Sequence, residues 1–179
     1  MTAFLVDISD ILDTAGLSED IEGELAVGEI RVGDERFVLV EPARVMATLS
    51  NAGSGFVATG TVVALVNATC SRCLCEFATR IEAEIEAFFV PVGEEVGEDD
   101  EGTVSEDDTV DLGPALLAAL IVEAPFAPVH DEECHGLCAH CGADLNVDSC
   151  GCGQVPDADH PFASLAALVE DPVAPGTGE

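Results

Sequence analysis

The sequence predicts an α+β fold: an antiparallel β-sheet laid out as a meander, a buried helix, a cysteine-rich segment and a C-terminal amphipathic helix. Three observations predict it. Apolar and polar residues alternate with period two through much of residues 43–90, the signature of half-buried antiparallel strands. A single apolar run, "LGPALLAALIV", is framed by Pro114 and Pro125. Eight cysteines fall in short-spaced groups, five of them between residues 130 and 152.

Taken in order, "FLVDI" and "RFVLVE" are short strand candidates, and stronger ones follow. "ARVMATLS" puts Val45, Ala47 and Leu49 on one face, and "FVATGTVVALVNAT" is rich in β-branched residues. "EFATRIEAEIEAFFV" sets Phe77, Ile81, Ala83, Ile85 and Ala87 against Glu76, Arg80, Glu82, Glu84 and Glu86. "NAGSG" at 51–55 is a hairpin turn, because Asn and Gly accept positive φ. The glycines through Gly60 lack the Lys of a phosphate-binding loop.

Residues 1–92 are thus the sheet body. Residues 93–109 form an acidic segment: nine of the fifteen residues from Glu94 to Asp108 are Asp or Glu, and such self-repulsion with little to bury predicts a disordered loop. Residues 110–170 hold the buried helix, the cysteine-rich segment and the last helix, "DHPFASLAALVED", with Phe162, Leu165, Leu168 and Val169 at helical spacing and packed on the body. Residues 171–179 are a loose tail.

Charge narrows the function. Against 36 acidic residues stand five basic ones, all Arg, for a formal net charge of −31. Tight direct binding to nucleic acid needs cations to neutralise phosphates, so a basic protein partner is the better fit. The N-terminus shows no basic region followed by an apolar stretch, and the longest apolar run is too short to span a bilayer. A cytoplasmic location follows as the expectation, and in that reducing compartment clustered thiols read as metal ligands before disulfides.

The segment "HDEECHGLCAHCGADLNVDSCGC" contains C-x2-C-G at 138–142, the form of a zinc knuckle: two thiolates on a tight turn, with Gly142 letting the backbone curl toward sulfur. "CSRC" at 70–73 repeats the spacing. One division of ligands makes two complete sites, Cys70, Cys73, His130 and Cys134, and Cys138, Cys141, Cys150 and Cys152, leaving Cys75 over. Another makes a single ribbon site from Cys70, Cys73, Cys138 and Cys141. Either way one or two structural zinc ions are implied, with every position filled by protein and none open to substrate. His135 and His140 are candidate hydrogen-bond donors around the sites, His160 a helix-start residue, and Arg72 a charge offset between two thiolates. A thiol-disulfide redox pair at Cys70 and Cys73 is the alternative, but the low pKa it needs comes from a helix N-terminus, and strands flank this pair. A second alternative is an acidic nucleic-acid mimic or chaperone.

The order "CSRCLCEF", "DLGPALLAALIVEAPFAPVHDEEC", "GLCAHCGADLN" and "HPFASLAAL" resembles the YceD family, the large-ribosomal-RNA-subunit accumulation proteins, from about residue 40 to 170. Family members without the later knuckle are similar around "PVHDEEC", which joins Cys70 and Cys73 to His130 and Cys134. The resemblance implies a non-enzymatic cytoplasmic factor for large-subunit ribosomal RNA accumulation and ribosome assembly, with the large-subunit precursor or a basic ribosomal protein as partner, no membrane and no small-molecule substrate.

Overall fold

A computed structural model describes residues 2–93, 96–97 and 100–152. The chain divides into two compact units, with the division between Cys134 and His135.

The first unit is built on three long strands, β5 (Ala43–Asn51), β6 (Phe56–Thr69) and β7 (Glu76–Val90), paired antiparallel in sequence order. Their alternation sends Val45, Ala47 and Leu49, then Val62, Ala64 and Val66, then Ile81, Ala83 and Ile85 into one core. The β5–β6 turn closes through the Ala52 N–H donating to the Gly55 carbonyl, with Gly53 at φ +84°. Asn51 has a second task there. Its buried amide donates to the carbonyls of Ile11 and Leu12, tying that N-terminal segment to the hairpin.

The meander covers only these three strands. Two further strands within residues 1–92 were hidden in the sequence: β2 (Ser18–Leu25), which pairs with β5 along its whole length, and β3 (Glu29–Val32), which forms a hairpin with β4 (Glu35–Leu39). β4 shares the β5 edge of β6, farther along it, through Val38 opposite Asn67 and Leu39 opposite Val66. The composition of "SEDIEGEL" conceals β2, since only Ile21, Gly23 and Leu25 point inward. β1 (Leu5–Asp7) pairs instead with β9 (Thr109–Asp111) in a small separate sheet.

The acidic segment differs from the disordered loop its charge predicts. Within 93–109, β8 (Gly102–Thr103) adds to β7 in parallel, and Val104 is buried; one strand pairing and one apolar anchor fix its described C-terminal part despite the carboxylates around them. Helix α1 (Gly113–Glu123) begins after Asp111, whose Oδ1 accepts from the backbone N–H groups of Phe4 and Gly113. It packs on β7 and β6 in the same core as the sheet. Only one side is buried, through Ala115, Leu116 and Leu120, while Val122 is 78% exposed, so the helix is less enclosed than its apolar composition predicts. It ends at Ala124, extended before Pro125. The expected C-terminal helix and tail lie outside the described residues.

Candidate metal centres

In the first unit the turn from β6 to β7 is a tight loop over Cys70–Cys75. The Cys70 N–H donates to the Cys75 carbonyl, the Leu74 N–H returns to the Cys70 carbonyl, and Leu74 sits at φ +62°. In the second unit the same pattern recurs: the Cys138 N–H donates to Ala143, the Gly142 N–H to Cys138, and Gly142 sits at φ +72°. The chain therefore carries two knuckles of one backbone design. The first was harder to see in sequence because Leu74 stands at the left-handed position where the second has glycine.

Each knuckle gathers four donors. Cys70, Cys73, His130 and Cys134 form one set and Cys138, Cys141, Cys150 and Cys152 the other, with the ligand atoms of each set within 4.8 Å of one another. In the first set Cys70 Sγ lies 3.9 Å from Cys134 Sγ, and His130 Nδ1 lies 3.4 Å from Cys70 Sγ and 3.5 Å from Cys73 Sγ. A tetrahedral zinc ion with its usual bond lengths demands sulfur–sulfur edges of about 3.8 Å and sulfur–nitrogen edges of about 3.6 Å. The set fits a metal ion by both chemistry and spacing. Cys70 and Cys134, with sulfurs 3.9 Å apart, are free thiols and not a disulfide, whose bond is about 2.05 Å long. The single ribbon pairing of Cys70 and Cys73 with Cys138 and Cys141 is not the grouping formed. Cys75 stays outside both sets, its sulfur 3.3 Å from Cys73 Sγ.

The loop after α1 brings His130 and Cys134 to the turn through backbone recognition. The Ser71 N–H donates to the buried Pro128 carbonyl, and Arg72 Nη1 donates to the carbonyls of Glu132 and Cys134. Arg72 thus holds the ligand-bearing segment, a role its position between two thiolates only hinted at. Phe77, the first inward residue of β7, meets the His130 ring edge-on, with centroids 6.3 Å apart.

The thiols in each set divide their protons unevenly. Burial pushes the Cys70 thiol up, but hydrogen bonds from His130 and from backbone N–H groups of the turn outweigh it and bring it down to about 5. Cys73 is raised: the Cys75 backbone N–H favours its thiolate, but burial and its hydrogen bonds to the Cys75 and Cys70 sulfurs prevail. In the second set, backbone N–H groups of Cys141 and His140 and the Cys150 thiol lower Cys138 to about 6. Cys150 is raised by its bond to Cys138, and Cys152 is pushed up to about 12 by its bond to Cys141 and the negative charge there. Crowded thiolates repel, so the later ones ionise only when a cation sits among them. His140 acts on Cys138 through its backbone, and the His135 backbone N–H donates to Asn146 Oδ1, 2.7 Å away.

Among the described residues no helix is long and apolar enough to cross a membrane. The description "Large ribosomal RNA subunit accumulation protein YceD" matches residues 58–169. Proteins of Mycobacterium bovis and Mycobacterium tuberculosis, both described as uncharacterised, are 35% identical over 100 residues, covering 54% of this chain and 48% of each relative. An uncharacterised protein of Mycobacterium leprae is 31% identical over 123 residues, covering 67% of this chain and 55% of its own length. The chain spans about half the length of the curated relatives it matches. No solved structure matches it. With the family match running through both knuckles and all eight donors, the chain belongs to the YceD family of large ribosomal RNA subunit accumulation proteins.

Proposed function

We propose that the chain is a zinc-stabilised, non-enzymatic cytoplasmic factor for the accumulation of large-subunit ribosomal RNA, working through a basic protein partner of the large-subunit precursor. The observation that carries this reading is the extent of the family match, residues 58–169, which takes in every donor of both four-ligand sets. Cys70, Cys73, His130 and Cys134 would hold one zinc ion, and Cys138, Cys141, Cys150 and Cys152 a second. Zinc enclosed by four protein donors supplies folding free energy, with no position left for a reactive water. The charge of −31 supports a protein partner over naked RNA, since the chain has few cations with which to neutralise phosphates.

Deleting the gene and measuring large-subunit against small-subunit ribosomal RNA tests the reading. A selective fall in the large-subunit species, restored by the parent chain but not by one lacking Cys70 and Cys73, is the expected result. An unchanged ratio would overturn it.

A further inference from the structure

On the face of the sheet away from the core, strand register sorts the side chains into rows. Glu22 on β2 stands level with Met46 on β5, Thr61 on β6 and Glu84 on β7, and the neighbouring levels repeat the plan. Asp20, Glu22 and Glu24 therefore line one side of the sheet, and Glu82, Glu84 and Glu86 the other. All six are exposed. The two rows are three strand spacings apart, roughly 14 Å, and carboxylates within a row recur about every 6.8 Å.

Between the rows the floor is mostly uncharged. Met46 is 56% exposed and Leu65 39%. A groove of about 720 Å³ opens over Met46, Val63 and Leu65 at one end. The cations at that end are already engaged, Arg44 with Glu41 and Arg80 with Glu82. Glu22, Glu24, Glu84 and Glu86 have no ion-pair partner among the described residues.

We propose that this face seats one lysine- and arginine-rich segment of a protein partner, with cationic heads on the two carboxylate rows and aliphatic stems over Met46, Thr61 and Leu65. The proposal rests on the reading that the partner is a basic protein, and it names the surface that would receive it. A helix with its side chains is about 10–12 Å across, which fits between the rows. Long basic side chains lay apolar stems on such a floor while their charged ends reach outward. Charge selects against the other occupants. A second copy brings another −31, and the chain's own segment 157–172 carries Asp157, Asp159, Glu170 and Asp171 with no Lys or Arg.

The test uses the metal-loaded full chain and a fluorescent helical peptide of leucine, lysine and arginine, with affinity read by anisotropy at low and physiological salt. The variant E22Q/E24Q/E84Q/E86Q is compared with D10N/D13N/D34N/E35Q, which removes the same charge from turns and a strand end elsewhere. Circular dichroism shows that both are folded. The expected result is a loss of about tenfold or more for the first variant and less than about threefold for the second. Equal losses would reduce the effect to long-range charge and overturn the proposal, as would a labelled RNA oligonucleotide that, with no peptide present, binds the parent chain more tightly than the peptide does. Unchanged peptide affinity in the first variant would overturn the surface alone, because the ribosomal reading is judged separately by the RNA ratio after gene deletion.

Discussion

Replacing Cys134 with serine removes one donor from the first set and leaves the fold's apolar core untouched. The consequence follows from chain length. A metal ion held by that set cross-links the β6–β7 turn to a segment as much as 64 residues downstream, with α1 inside the loop. Treated as a covalent-like clip, closing a loop of that size removes denatured-state entropy equivalent to about 4 kcal/mol. For a chain of this size about 1 kcal/mol moves the melting temperature by roughly 2–4 °C, so Cys134→Ser should melt roughly 8–16 °C below the metal-loaded parent. The second set closes a loop of only about 15 residues, for which the same relation gives about 3 kcal/mol.

The assay pairs differential scanning calorimetry with metal analysis of the purified protein. Two metal equivalents are expected in the parent and one in Cys134→Ser. Chelation should lower the melting temperature of the parent more than that of the variant, since only the parent has the long-range clip to lose. A variant that keeps both equivalents, or a parent whose melting is unmoved by chelation, would refute the reasoning.

Three further outcomes follow from the same geometry. Arg72→Ala removes two hydrogen bonds to the carbonyls of Glu132 and Cys134, at about 1 kcal/mol each, and should weaken metal binding in the first set by about tenfold or more in competition with a chromophoric chelator, while Arg72→Lys recovers part of it. Leu74→Gly relieves a left-handed residue that costs about 1–2 kcal/mol against a gain in unfolded-state freedom of about 0.5–1 kcal/mol, so thermal melting should show stability unchanged or slightly raised, with metal content intact. Falling pH should empty the second set first. Cys138 and Cys70 are held at about 6 and about 5, below the ordinary 9.0, so each thiolate persists above its own value and metal is lost as protons return. Metal release followed in Cys134→Ser and Cys152→Ser, each retaining one set, reports the order.

How much was legible before the structure depended on whether local pattern or distant packing decided each element. β5, β6 and β7 were readable because each buries one face against the same core, so alternation and fold agree. β2 was not: an edge strand with acidic residues on its open side presents only Ile21, Gly23 and Leu25 as a pattern, and at Gly23 a Cβ would crowd the ring of Phe4. The eight donors were legible from spacing, and their division was one of two open solutions until the fold brought His130 and Cys134 to the first turn. What spacing lacked was any trace of the Pro128 and Arg72 contacts, since backbone carbonyls accept hydrogen bonds whatever the residue type. β8 was masked in the same way, its two-residue pairing with β7 submerged in a run of carboxylates.

The two knuckles share a backbone design and differ in what they join. The second is local, its donors lying within residues 138–152, and its metal would stiffen a segment with few apolar residues to bury. The first reaches from the end of the longest hairpin to the segment beyond α1, so it constrains the path of the chain as it leaves the core. The rim of that site is polar backbone and Arg72. Under the proposed function, recognition then falls to side chains on the sheet, where carboxylates at Glu22, Glu24, Glu84 and Glu86 are held in fixed register by strand pairing. That separation has a consequence for mutants. Losing the first metal should leave the β2–β5–β6–β7 register standing and peptide affinity nearly unchanged, because none of those pairings depends on residues 128–134.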